Sequence, residues 1–181
     1  MASSVARRLV LLRHAKSAWP DVADHERPLA RRGRSDAPLA GRWLRAAGRA
    51  PDRVICSTAR RARDTWQLAA AELDASPSVS FDQRVYGAAA SELLDLAREI
   101  APRARTLLIV GHDPAMQELA LSLASARAGD AAALERVRFK FPTAAIAVLE
   151  FTGAWQGLRS QQAQLTAFVV PRELRAGSGE G

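Results

Sequence analysis

Three short apolar runs, residues 9–12, 54–56 and 106–110, constrain this chain more than any other feature. None alternates with polar residues, so each reads as a strand buried on both faces. Such strands need helices above and below them. The expected fold is therefore α/β, a three-layer sandwich in which a mixed, mostly parallel sheet carries helices on both faces.

Helical patterns lie between the runs. Residues 34–47 place Leu39, Trp43 and Leu44 on one side, residues 62–73 place Trp66, Leu68 and Leu73, and residues 91–100 place Leu93, Leu94, Leu96 and Ile100. Pro38 is expected in the opening turns of the first of these helices, or else displaces its start, and Gly48 is a natural stop. Asp113 and Pro114 read as an N-cap and first-turn proline that open a helix over residues 115–126. Residues 144–151 and 165–170 read as a hairpin, joined by a segment with Gly153 and Gly157. A chain of 181 residues with 48% hydrophobic and 25% charged residues suits one domain. That domain is expected over residues 1–170, followed by a disordered tail at 171–181, which has nothing to bury.

The lone Cys56 fits a reducing compartment, so a cytoplasmic location is expected. Arg7 and Arg8 ahead of an apolar run look like the start of an export signal, but Arg13 interrupts the run too soon. No stretch approaches the length of a membrane span. The net charge of +7 raises the question of nucleic acid. The basic residues are spread along the chain without interleaved aromatic platforms, which favours an anionic small substrate or a phosphoprotein instead.

The chemistry stands where the apolar runs end. The first leads into Arg13 and His14, the second into Ser57 and then Arg60 and Arg61, the third into Gly111, His112 and Asp113. Residues leaving the carboxyl ends of neighbouring parallel strands meet in one crevice. Arginine forks suit phosphate oxygens, the helix after Ser57 can add backbone donors, and two histidines allow one to attack phosphorus while the other donates a hydrogen bond.

Leu12-Arg13-His14-Ala15-Lys16-Ser17, Arg27-Pro28-Leu29 through Arg32-Gly33, Ser57 with Arg61-Ala62 and Thr65, and Gly111-His112 together resemble the histidine phosphatase superfamily, with its phosphoglycerate mutase-like fold. The short chain is most similar to the SixA-type phosphohistidine phosphatases. The resemblance implies that His14 becomes transiently phosphorylated, that Arg13, Arg61 and His112 hold the phosphoryl oxygens, and that water then releases phosphate. Arg60 is a secondary candidate ligand, and Ser57 supplies a supporting hydroxyl or caps the next helix. The resemblance implies a phosphorylated substrate, either phosphohistidine in protein or a small ester. No metal or organic cofactor is implied, and neither nucleic acid nor membrane is expected as a partner. The oligomeric state is not specified.

Departures matter as well. Ala15 stands where the wider superfamily has glycine. The mutase branch has a glutamate acid in the segment that here reads Arg84 to Glu92, leaving Glu92 at a helix start and Asp113 beside His112 as candidate acids; Asp113 also fits a plain N-cap. A phosphoglycerate mutase-like transferase and a non-catalytic phosphate-binding regulatory protein are the alternatives. A cysteine phosphatase built on Cys56 would need Arg at position 62, where Ala62 stands. His25 is expected to be an exposed loop histidine rather than a metal ligand, Arg63 a solvated helix residue, and Tyr86 either a pocket or a core residue.

Overall fold

In the computed structural model, which describes residues 5–178, the apolar runs become β1 (Ala6–Arg13), β2 (Arg53–Ser57) and β4 (Thr106–Gly111). They lie side by side in the order β2, β4, β1, all parallel, with Leu9 opposite Leu107 and Ile55 opposite Ile109. Successive side chains of a strand point to opposite faces, so each run divides between two cores. Leu9, Leu11, Ile55, Leu107 and Ile109 enter one, while Val10, Leu12, Val54, Cys56, Leu108 and Val110 enter the other. The second core is covered by α1 (Arg31–Ala46) and α2 (Arg60–Ala70). The first is covered by α3 (Ala90–Arg98), α4 (Ala115–Leu123) and α5 (Ala131–Phe139). Fully burying each of these aliphatic side chains contributes about 1.5–3 kcal/mol, which is why runs apolar on both faces select this three-layer arrangement.

The sheet is completed by β3 (Ser78–Asp82) at one edge, and by β6 (Ile146–Thr152), β7 (Ala163–Val169) and β5 (Ala124–Gly129) beyond β1. β6 and β7 form the expected antiparallel hairpin, β6 also runs against β1, and β5 lies parallel to β7. The sheet is thus mixed and mostly parallel, with β6 alone reversed.

Several boundaries differ from expectation. α1 starts earlier and runs straight through Pro38. An interior proline forfeits a backbone bond and crowds the preceding turn, but burial of Ala37, Ala40 and Leu44 along the same helix holds it through that position. Gly48 does stop it: with φ of +63°, its N–H reaches the Arg45 carbonyl at 3.1 Å and the Arg49 N–H reaches the Leu44 carbonyl at 2.8 Å. α4 ends at Leu123 rather than Ala126, and the chain continues as β5. Neither β3 nor α5 was expected. β3 is an edge strand with exposed residues and no apolar run, and α5 is announced only by Asp130, whose side chain accepts the Ala133 N–H at 2.9 Å. The disordered tail expected over residues 171–181 is ordered in its first part. Pro171–Ser178 forms 3-10 turns packed near α1, with Arg172 4.0 Å from Asp36 and Glu173 2.8 Å from Arg136; residues 179–181 lie outside the described residues.

Two glycines of α1 set how closely the layers above the site approach. A Cβ on Gly33 would lie 2.1 Å from the Lys16 carbonyl oxygen, and one on Gly41 would lie 2.0 Å from that of Ala69 in α2. The loop after β1 and the body of α2 both rest on glycine surfaces of the same helix.

Candidate active site

β1, β4 and β2 deliver their last residues to one point. Arg13 ends β1 and leads to His14, Gly111 ends β4 and leads to His112, and Ser57 ends β2. The His14 N–H donates to the Gly111 carbonyl at 3.0 Å, and the two imidazole rings stand 5.2 Å apart.

His14 is buried, and its Nδ1 lies 2.8 Å from the Ala15 carbonyl oxygen. A carbonyl only accepts, so Nδ1 carries the proton and Nε2 the lone pair. No described residue hydrogen-bonds Nε2. Burial, more than the added fields of His112, Arg61 and Arg13, drops the ring's pKa to about 3. His14 is therefore a neutral imidazole in a single tautomer.

His112 is held from β2. Its Nε2 is 2.8 Å from Ser57 Oγ, which already accepts the Ala59 N–H at 3.2 Å. This bond between the serine hydroxyl and Nε2 fixes the ring and leaves Nδ1 on its other side. That Nδ1 is buried without a partner among the described residues. Burial first, then Arg61, brings the His112 pKa down to about 4.

The arginines complete the set. Arg61, in the first turn of α2 and buried, donates from Nη1 to the Asp24 carbonyl at 2.6 Å and from Nη2 to Asp24 Oδ2 at 3.0 Å. Arg13 donates from Nη1 to the Phe141 carbonyl at 2.7 Å and lies 3.7 Å from Asp113. Both are anchored through terminal nitrogens, while both Nε atoms are buried without a partner among the described residues. Arg13 Nε and Arg61 Nε are unsatisfied buried donors, and His112 Nδ1 and Asp113 Oδ1 are buried and unpaired near them. Buried polar groups are rarely left so, and this set matches an anion with several oxygens.

Asp24 was not singled out in the sequence. Besides Arg61, it accepts from Arg27 Nη1 at 3.0 Å and from the Tyr86 hydroxyl at 2.8 Å. These bonds, Tyr86's the strongest and then those from Arg27 and Arg61, hold its carboxyl well below the usual range. Arg27 is itself buried, bonded to Ser17 Oγ at 2.6 Å, and stacked on Trp19. The only sequence signal for this cluster was the Arg27-Pro28-Leu29 motif. Tyr86 proves to be a site residue, its ring edge-on to His112 at 5.7 Å and to His25 at 4.9 Å. His25 is bonded to Glu26 and to Thr58. Thr65 of α2 braces the loop after β1, accepting the Ala15 N–H at 2.9 Å and donating to the Arg61 carbonyl at 2.6 Å.

The two candidate acids separate. Glu92 turns back on its own helix, where its carboxylate accepts the Ala89 N–H at 2.7 Å, so it serves as a helix cap rather than joining the crevice. Asp113 stays beside Arg13, its pKa raised by burial against the opposing pull of Arg13. Cys56 is buried in β2 and burial pushes its thiol up to about 12, which makes it inert.

Two neutral histidines and two anchored arginines at the carboxyl ends of parallel strands define a protein of the phosphoryl-handling α/β class. Residues 9–86 match the sequence profile of the histidine phosphatase superfamily (branch 1). An uncharacterised protein of Mycobacterium tuberculosis is 48% identical over 162 residues, covering 89% of this chain and all of that one. Among solved structures, a candidate phosphohistidine phosphatase SixA from Nakamurella multipartitia is 35% identical with a TM-score of 0.81, over 91% of this chain and 95% of that one. Its counterpart from Agrobacterium tumefaciens is 27% identical with a TM-score of 0.72, over 90% and 97%. The chain belongs to the histidine phosphatase superfamily, in its SixA-type branch.

Proposed function

We propose that this protein is a phosphatase that hydrolyses phosphohistidine in protein, or a small phosphate ester, through a phosphoryl group carried transiently on His14. The observation that carries the reading is the state of His14, a neutral ring with its proton fixed on Nδ1 toward Ala15 and its Nε2 lone pair unengaged. In this reading Nε2 forms the bond to phosphorus as the leaving nitrogen or oxygen departs with its electron pair. Arg13, Arg61 and His112 hold the phosphoryl oxygens, the arginines through their unpaired Nε donors, and Ser57 fixes the His112 ring. Water then attacks the phosphohistidine, phosphate leaves, and His14 returns to its neutral form.

Asp113, raised in pKa and next to Arg13, is the carboxyl suited to protonate the leaving group. Asp24, held ionised by its three donors, is unsuited. A leaving imidazole needs less help from an acid than an alkoxide does, which favours phosphohistidine, as the names of the SixA neighbours also do. We place the protein in the cytoplasm, because a lone, buried thiol fits a reducing compartment. Among the described residues no helix is long and apolar enough to cross a membrane.

The test is intact mass measurement after rapid quenching of wild type and His14→Ala with an aryl phosphate. An acid-labile, base-stable phosphoryl adduct in wild type alone, with phosphate release, is the expected result. Equal rates and no adduct in both proteins would reject the mechanism in favour of a phosphate-binding regulator.

A further inference from the structure

We propose that the groove between α2 and the edge strand β3 is the docking surface for an acidic segment with apolar side chains, belonging to the phosphoprotein substrate. The inference rests on the phosphatase reading above. The groove has a volume of about 610 Å³, with Trp66 and Ala70 of α2 on one wall and Val79 and Phe81 of β3 on the other. Val79 and Phe81 pair in register with Val54 and Cys56, whose side chains enter the core beneath α1 and α2, so all four point to that face of the sheet. α2 covers β2 but leaves the sheet edge open. Phe81 remains 54% exposed and Val79 38% exposed, unlike the strand interiors beside them. An apolar, uncovered edge of this kind invites a partner chain.

Charge selects the partner. Arg60 and Arg63 stand exposed on the first turn of α2 at the rim of the groove. Asp64 lies 3.7 Å from Arg60, whereas Arg63 makes no ion pair within 4.0 Å among the described residues. Both arginines, after His25, lower the pKa of Glu26 on the turn that also carries Asp24, so the rim adjoins the crevice. Arg61, between them in sequence, anchors to that same turn. A segment lying in the groove would meet a basic rim and an apolar floor and continue toward His14. That pattern fits acidic residues interleaved with apolar ones.

The test uses the full chain and a labelled short peptide of alternating Glu and Leu, followed by fluorescence anisotropy. Controls are a Lys and Leu peptide and an oligonucleotide of equal charge. Arg63→Glu and Phe81→Ser are each expected to weaken binding of the acidic peptide by about tenfold, while aryl phosphate turnover stays at the wild-type level. With one phosphohistidine added to each peptide, wild type is expected to prefer the acidic one in kcat/KM, and Phe81→Ser to lose that preference. Absent binding, binding equal in wild type and both variants, or equal binding of the lysine peptide or the oligonucleotide would overturn the proposal. Wild type that docks the peptide yet turns over no aryl phosphate would instead fail the phosphatase reading; normal turnover without docking would fail the groove alone.

Discussion

Asp24 accepts from Arg27, Arg61 and Tyr86 at once, and through Arg61 it fixes the edge of a guanidinium whose Nε remains unpaired. Asp24→Ala is expected to lower kcat/KM for an aryl phosphate by roughly tenfold, because Arg61 must then be ordered by substrate rather than beforehand. Steady-state kinetics on the purified variant measures this. Arg61→Ala removes a proposed oxyanion donor and is expected to cost on the order of 10²–10³ in kcat. Burial depresses both site histidines, to about 3 for His14 and about 4 for His112, from 6.5 in an open chain. The unfolded chain therefore takes up protons below pH 6.5 that the folded one refuses. Stability is full above that pH and falls steadily as acid is added toward the folded values, which urea titrations at a series of pH values would show. His14, His112 and both arginines were legible because each directly follows a recognisable buried strand or opens the helix after it. Asp24 was not, because its partners come from three separate segments and no local pattern joins them.

The element that ties site to scaffold is α2. Its Thr65 hydroxyl joins the loop after β1 to the carbonyl of Arg61, so one buried side chain sets the distance between nucleophile loop and arginine. Thr65→Val keeps the shape but strands the Ala15 amide. The expected cost is about 1–3 kcal/mol of stability, with a fall in kcat larger than the change in KM, read by chemical denaturation and kinetics. Gly41→Ala pushes α1 from α2 at a carbonyl contact and is expected to destabilise by about 1–3 kcal/mol. The central strands and the three helices between residues 31 and 98 were readable from apolar periodicity. β3 and β5 were not, because strands at the sheet edges are exposed on their outer positions and need no apolar run.

For the molecule as a whole, the net charge of +7 surrounds a crevice that already holds two arginines. Dianionic substrates should be drawn in by this field, so KM for an aryl phosphate is expected to rise with ionic strength while kcat changes little; a salt series measures it. The order of the central strands has one further consequence. β4 lies between β1 and β2, although it follows both in the chain. The chain up to α3 contains Arg13, His14, Ser57 and Arg61, but not the strand that pairs with both β1 and β2. β1 and β2 do not pair with each other, so within the sheet residues 106–111 alone join them. That join therefore draws on a strand made after both of the strands it connects.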